Sequence, residues 1–286
     1  MLKTRIITAL FLAAGLLAAI FLLDPTGWRL FCALLCAGAA WEWGGLAGWG
    51  KQGRLAYGAA LGALSFVLSI GFVLSIEFAS AILCVLAVGF WVLVVPWWLK
   101  YKWRLQNWSA VLVGFIVLVP TTVTFVLLRH DAYPGAVLFI LAIVWVADTV
   151  AYFSGRAFGR RKLAPTISPG KTWAGAVGAV IGVVVYCNIA FMYRMWEFRD
   201  VLPVLYAEAP VRVVLVALVW QLMFICVAVF SIGGDLFESL LKRLAGVKDS
   251  SSLLPGHGGI LDRIDSLTST LPLIGLLLFL QYIFSP

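Results

Sequence analysis

Acidic residues are scarce in this chain, 13 in 286 positions, and six of them fall at or between the ends, expected to be cytoplasmic, of the sixth, eighth and ninth apolar segments: Asp148, Asp235, Glu238, Asp249, Asp262 and Asp265. Asp148 directly follows the apolar run 137–147, and Asp235 follows 213–232 with only Gly233 and Gly234 between. A carboxylate inside an apolar span costs about 3 kcal/mol on insertion scales, so it is rare unless paired or functional. Asp262 and Asp265 are three apart, which places both on one face of the first turn of a final helix. Four carboxylates, Asp148, Asp235, Asp262 and Asp265, thus stand on three apolar segments and are able to converge. Like charges at close range repel unless a cation neutralises them. Hard oxygens with few His or Cys side chains available suit Mg²⁺, which takes one or two carboxylates plus phosphate oxygens and water. The competing expectation is ion pairing, Asp262 with Arg263 or Arg243 and Glu238 with Lys242 at i,i+4. Pairing accounts for single members but not for acids concentrated beside two basic loops, so the pattern favours a metal.

Those loops point to phosphate. The stretch 154–172 carries Arg156, Arg160, Arg161, Lys162 and Lys171, with Ser154, Ser168 and Thr172 among Gly and Pro. The stretch 237–265 carries Ser239, Lys242, Arg243, Lys248, three serines at 250–252 and Gly256-His257-Gly258-Gly259. Glycines let backbone N–H groups approach an anion closely, while Lys and Arg neutralise it. Attraction to lipid headgroups would explain the bases alone. It would need no glycines, serines or carboxylates at fixed spacing. Ser168-Pro-Gly-Lys171-Thr172 resembles the end of a phosphate-binding P-loop, but Pro165 stands where that pattern needs Gly and no strand is expected before it. His257 is one of two histidines. Donating to a phosphate, acting as an acid or base, and bracing the glycine turn all remain open for it. His130, beside Asp131, reads as structural.

The elements that must hold these residues are membrane helices. The chain is 63% hydrophobic and 12% charged, with mean hydropathy +1.03, which excludes both a soluble globular domain and a disordered chain. Apolar runs predict nine helices, 6–23, 27–48, 55–75, 78–98, 107–128, 134–153, 173–194, 211–236 and 266–284. The first is too long for a signal peptide and another span follows it at once. With the N-terminus in the cytoplasm, 16 basic residues fall inside and five outside (Arg29, Arg129, Arg194, Arg199 and Arg212). That asymmetry predicts an all-α polytopic protein with its N-terminus cytoplasmic and its C-terminus outside. Both candidate loops then face the cytoplasm, whereas 195–210 lies outside and shows no motif. The same explanation covers the net charge of +8 without nucleic acid as a partner. Residues 1–133 read as a five-helix scaffold and 134–286 as the four-helix catalytic region. The five cysteines all lie in apolar stretches and read as small buried hydrophobes. Glu42, within the second span, reads as structural, protonated or paired with tryptophan.

The stretch Ser239-Leu-Leu-Lys242-Arg243, then Lys248-Asp249, then Pro255-Gly-His257-Gly-Gly-Ile-Leu-Asp262-Arg263-Ile-Asp265 resembles the 27-residue signature of the phosphatidate cytidylyltransferases, the CDP-diacylglycerol synthases. Asp148-Thr-Val-Ala-Tyr152, with Leu163-Ala-Pro165 and Ser168-Pro-Gly-Lys171-Thr-Trp173, is similar to a second block of that family, and Ser231-Ile-Gly-Gly-Asp235 to a third. One position departs: Ala174 stands where Glu or another polar residue is expected. The informative likeness covers 145–265.

The resemblance implies a bacterial-type inner-membrane enzyme of phospholipid biosynthesis that joins CTP and phosphatidate, giving CDP-diacylglycerol and pyrophosphate. It implies Mg²⁺, with a second cation open, on Asp235, Asp262 and Asp265, with Asp148 a further candidate. Lys242, Arg243, Lys248 and Arg263 would neutralise the triphosphate, while Ser239, Gly258 and Gly259 would donate further hydrogen bonds. Arg156, Ser168 and Lys171 would hold the lipid phosphate or the nucleotide. Membrane lipids and a second copy of the chain are the remaining implied partners. The alternatives are a CTP-dependent lipid kinase, an ether-lipid cytidylyltransferase and, from another class, a cation-coupled transporter, whose site would lie nearer the bilayer midplane. A CDP-alcohol phosphotransferase would need a D-x-x-D-G-x-x-A-R pattern that is missing.

Overall fold

The computed structural model describes residues 2–71, 77–130, 134–196 and 210–284. The protein is an all-α, multi-pass membrane protein. Its helices are α1 (Leu2–Leu22), α2 (Pro25–Leu46), α3 (Lys51–Gly71), α4 (Glu77–Gly89), α5 (Val95–Tyr101), α6 (Asn107–His130), α7 (Pro134–Phe158), α8 (Trp173–Trp196), α9 (Pro210–Leu244), α10 (Leu261–Ile264) and α11 (Leu267–Phe284). Six stretches are long and apolar enough to cross a membrane, and Ile6–Leu22 and Leu267–Leu280 are shorter apolar helices. Every expected span coincides with a helix, but two run further than expected. Helix α7 continues to Phe158, so Asp148 sits ten residues inside it, and α9 continues to Leu244, so Asp235 sits nine residues inside. Within α9 the buried Leu236, Phe237, Leu240 and Leu241 keep the 3.6-residue period beyond the expected end at 236. Residues 237–244 are therefore helix rather than loop. The expected outer loop lies, from 197 to 209, outside the described residues, as do Asp131 and the side chain of His130.

Two compact units result: Met1–Phe139 with Gly233–Pro286, and Ile140–Ile232. Residues 233–286 thus group with the N-terminal helices, where a boundary after 133 separates them.

In the first unit, small residues bring α2 and α3 together. A methyl group at Gly58 would sit 2.7 Å from the Ala37 carbonyl, and one at Gly62 would sit 2.9 Å from the Ala37 side chain. Such a small-residue seam gives close backbone packing where lipid removes the hydrophobic drive. Trp43 Nε1 donates to the Ala110 carbonyl (2.9 Å) and Tyr57 to that of Val111 (2.7 Å), tying α2 and α3 to α6. Between α4 and α5, Phe90–Val94 forms a π-turn immediately before Pro96, whose missing N–H interrupts the α-helical ladder. The rings of Phe90, Trp91 and Trp98 surround Phe237 of α9 edge-on, with centroids 5.8, 5.4 and 5.6 Å away. Helix α9 ends when Gly246, at φ +75°, adopts the left-handed turn that lets its N–H reach Arg243 O and that of Val247 reach Lys242 O.

In the second unit, α7 and α8 pack through Gly155, Gly175, Gly178 and Gly182, and Asn188 and Gln221 exchange side-chain amide hydrogen bonds of 2.9 and 2.7 Å. The expected loop 154–172 is instead the end of α7 followed by an antiparallel hairpin, β1 (Lys162–Ala164) and β2 (Ser168–Thr172). A strand does therefore precede Ser168–Thr172. Those residues are themselves a strand rather than the loop a P-loop requires.

Candidate active site

Helix α9 carries Asp235, Glu238, Ser239 and Lys242 within two turns. Its backbone lies against the chain turn after α10: a methyl group at Gly234 would sit 2.5 Å from Asp265 O and 3.1 Å from Ser266 Cα. One turn further on, Lys242 Nζ lies 2.5 Å from Glu238 Oε2 and 2.6 Å from Asp262 Oδ1. The expected i,i+4 pair of Glu238 with Lys242 is present, and the partner of Asp262 is Lys242 rather than Arg263 or Arg243. Ser239 Oγ donates to Asp235 Oδ1 (3.2 Å), and Ser266 N donates to Asp265 Oδ1 (2.6 Å). Asp262 belongs to α10, Asp265 caps that short helix, and α11 starts only at Leu267, so the two acids do not share the first turn of the final helix.

Asp262 is buried and heavily hydrogen-bonded. Its Oδ2 accepts from Ser250 N (2.8 Å), Ser250 Oγ (2.9 Å) and Gly259 N (2.8 Å). Burial works against its charged form, but the Lys242 ammonium and the Gly259 and Ser250 N–H groups outweigh it and hold the carboxyl down at about 2. Gly259 therefore spends its N–H on Asp262, and not on a ligand as the motif implied. Gly258 takes φ +79°, and a side chain there would also meet Asp262 Oδ2 at 2.6 Å.

The loop after α9 encloses a pocket of about 480 Å³ lined by Lys248, Asp249, Ser251, Ser252, Leu254, Pro255, Gly256, His257, Gly258 and Arg263. Its shape comes from a tight turn in which Leu254 N donates to Gly258 O and His257 N to Leu254 O, both at 2.8 Å. The His257 backbone thus braces the turn. Its buried Nδ1 has no hydrogen-bond partner among the described residues. Two bases, an imidazole nitrogen, hydroxyls and glycine backbone around one hollow suit a polyphosphate.

Glu42 was expected as a structural acid of the scaffold, protonated or tryptophan-paired. It is fully buried in the last turns of α2 and accepts from Ser251 Oγ (2.6 Å), Ser250 Oγ (3.0 Å), Ile260 N (2.9 Å) and Leu261 N (2.7 Å). Its partners are thus the signature loop, more than 200 residues away, and not a tryptophan. Nothing local in the sequence marks that pairing except the oddity of an acid in an Ala-, Gly- and Trp-rich helix.

Among the described residues no three His, Cys, Asp or Glu side chains stand ready to share a metal ion. An Mg²⁺ carried by nucleotide phosphates needs only one or two protein carboxylates, and Asp235 and Asp265 supply hard oxygens at the α9–α10 contact. Two buried oxygens of the same region, Glu238 Oε1 and Ser266 Oγ, lack a hydrogen-bond partner among the described residues. This donor set fits a nucleotide-borne divalent cation.

Asp148, Arg156, Ser168 and Lys171 belong to the second unit. Arg156 Nη1 donates to Tyr152 Oη (3.3 Å), and the Arg161 guanidinium sits 5.9 Å from the Trp173 ring centroid. Two hydroxyls read as phosphate donors are structural instead. Thr172 Oγ1 accepts from Gly175 N (3.1 Å) as the N-cap of α8, and Ser154 Oγ donates to Val150 O (2.6 Å).

Residues 3–281 match the cytidylyltransferase family. A phosphatidate cytidylyltransferase of Pseudomonas aeruginosa is 40% identical over 285 residues, covering 98% of this chain and 97% of the relative. One of Haemophilus influenzae is 35% identical, covering 95% and 96%, and one of Thermotoga maritima 40% identical over about half of each chain, 52% and 50%. The chain accordingly belongs to the cytidylyltransferase family.

Proposed function

We propose that this membrane enzyme is a phosphatidate cytidylyltransferase, transferring the cytidylyl group of CTP to phosphatidate with release of pyrophosphate. The observation that carries the reading is the joining of a polyphosphate-sized basic pocket to a carboxylate–lysine cluster through two adjacent residues, Arg263 in the first and Asp262 in the second. Lys248 and Arg263 hold the triphosphate, with His257 in the wall of the pocket. Asp235 and Asp265 would hold the Mg²⁺ that accompanies it, while Asp262 would offer only Oδ1, shared with Lys242, because its Oδ2 is occupied by the loop. When bound, Mg²⁺ draws charge from the phosphate oxygens that become pyrophosphate. Lys242, Arg243 and Lys248 neutralise the remainder as it develops. The phosphate of phosphatidate is anionic near neutral pH and is its own nucleophile: its oxygen bonds to the α-phosphorus as the bond to the β-phosphate breaks. The family resemblance further suggests Arg156, Ser168 and Lys171 as phosphate-binding residues and Asp148 as a candidate cation ligand.

The cytoplasmic face of an inner membrane is the proposed location, supported by the 16-to-5 division of basic residues. The apolar stretch Val214–Leu244 has 31 residues, about 46 Å of helix against a hydrocarbon core of about 30 Å, so its charged end extends beyond the core. A homodimer, which the family resemblance implies, is tested by the mass of the detergent-solubilised protein.

The function is tested by pyrophosphate release in proteoliposomes. Release should require CTP, phosphatidate and Mg²⁺ together and should be lost in Asp262→Asn. CDP release without pyrophosphate would indicate a lipid kinase and refute the reading.

A further inference from the structure

We infer that Glu42 is a positioning residue for the nucleotide pocket: α2 fixes the 250–261 segment through this carboxylate and, through Ser250, fixes Asp262. The inference rests on the proposed function for the identity of the ligand.

Three observations carry it. Glu42 is completely buried, and both of its oxygens are engaged by the pocket segment, Oε1 by Ser251 Oγ and Ile260 N, Oε2 by Ser250 Oγ and Leu261 N. Its four partners bracket the pocket-forming turn, two just before it and two just after. A single acid therefore closes the base of the turn.

Ser250 Oγ lies within reach of two carboxylates, Glu42 Oε2 at 3.0 Å and Asp262 Oδ2 at 2.9 Å. Its one proton serves one acceptor at a time, so the position of Glu42 bears directly on how Asp262 is held. From Asp262 the network continues to Lys242 and Glu238 on α9.

Glu42 itself is held rigidly from both sides in sequence. Trp43 is bonded to α6, and the backbone carbonyl of Trp41 accepts from Arg54 Nε (3.1 Å), whose guanidinium lies 3.7 Å over the Trp41 ring. Gly38, one turn earlier on the same face of α2, leaves room for Ile260: a methyl group there would sit 2.5 Å from Ile260 Cδ1. At Gly259 a side chain would land on Ser250 Oγ and both Glu42 oxygens. The fit between α2 and the signature loop thus depends on an acid of one length at position 42. A catalytic role is not implied, since Glu42 is fully buried and takes no part in the pocket lining.

The test uses the full-length protein in lipid–detergent micelles and measures kcat, the KM for CTP and the KM for phosphatidate separately. Glu42→Gln is isosteric but replaces one acceptor oxygen by an NH2 that opposes its donors. It should raise the KM for CTP about tenfold, the equivalent of about one charge-assisted hydrogen bond, and leave the KM for phosphatidate within about twofold. Because Glu42 acts through Ser250, the double variant Glu42→Gln/Ser250→Ala should lose no more than the worse single variant. An unchanged KM for CTP, an equal rise in both KM values, or multiplying losses in the double variant would overturn the inference. Should Glu42→Gln fail to fold, Glu42→Asp carries the same test, since it keeps the charge and withdraws the carboxylate by one methylene. Should the unmodified protein release no pyrophosphate with phosphatidate, the proposed function fails rather than the positioning role. That role is then read from the rise in unfolding temperature that CTP with Mg²⁺ produces, which Glu42→Gln should abolish and which would otherwise contradict it.

Discussion

Lys242 is the pivot of the buried ion cluster, and replacing it by methionine should be costly in a particular way. Its ammonium lies 2.5 Å from Glu238 and 2.6 Å from Asp262, whose counter-charge it is, and both acids are buried, their side chains 5% and 4% exposed. Methionine has a similar length and is apolar, so packing along α9 is kept while Asp262 loses its cation. Removing one partner of a buried ion pair destabilises by about 3–5 kcal/mol, because the remaining charge has neither water nor partner. For a chain of this size that corresponds to a fall of about 10 °C in unfolding temperature. Intrinsic fluorescence on heating, with tryptophans 91 and 98 packed against Phe237 on the same helix, reports the transition. The rescue is the sharper half of the prediction. Asp262→Asn in the Lys242→Met background removes the orphaned charge and should restore about half of the loss, although activity should stay absent in both. A fall of less than about 2 °C, or no rescue, would refute the view that Lys242 neutralises Asp262.

Gly259→Ala should cut activity at least about tenfold, since its methyl group would press on Ser250 and Glu42, and CTP should no longer raise the unfolding temperature. Thr172→Val removes the N-cap of α8 and should lower stability by about 1 kcal/mol with little change in either KM. Asp262 sets a pH dependence with a definite sign. Its folded value of about 2 lies below the ordinary 3.8, so its contribution, on the order of 2 kcal/mol, is complete above about pH 4 and fades as pH falls toward 2. The stability difference between the unmodified protein and Asp262→Asn should accordingly stay flat from pH 7 to about 5 and shrink only in acid, as followed by thermal unfolding across that range.

The helices were readable from apolar runs alone, because a span needs about 20 apolar residues and six of the stretches supply them among the described residues. The ends of α7 and α9 were not, and for one reason. Charges at Arg156, Glu238, Lys242 and Arg243 resemble the start of a loop, yet in α9 the buried Leu236, Phe237, Leu240 and Leu241 continue the helical period beneath them. Attention to period rather than polarity would have extended that helix. The hairpin at 162–172 was hidden by its Pro169-Gly170 pair, which argues against a strand in any short window. At the site, Lys248, His257, Gly258 and Arg263 fell into one pocket as their spacing suggested. The chemistry of Asp262 did not follow from spacing, because its partners Ser250, Gly259 and Lys242 are fixed by how the chain turns back on α9. Glu42 is the extreme case: its four hydrogen bonds all reach partners at least 208 residues distant, beyond any local pattern.

The central claim is that this protein moves the α-phosphate of CTP, with its nucleoside, onto a lipid phosphate. The most direct measurement follows two labels in parallel through the reaction with phosphatidate in proteoliposomes. Label in the α-phosphate of CTP should pass into the organic-soluble lipid, and label in the γ-phosphate should leave in water as pyrophosphate. Transfer of the γ-label to the lipid, with the α-label retained in soluble CDP, would contradict the account.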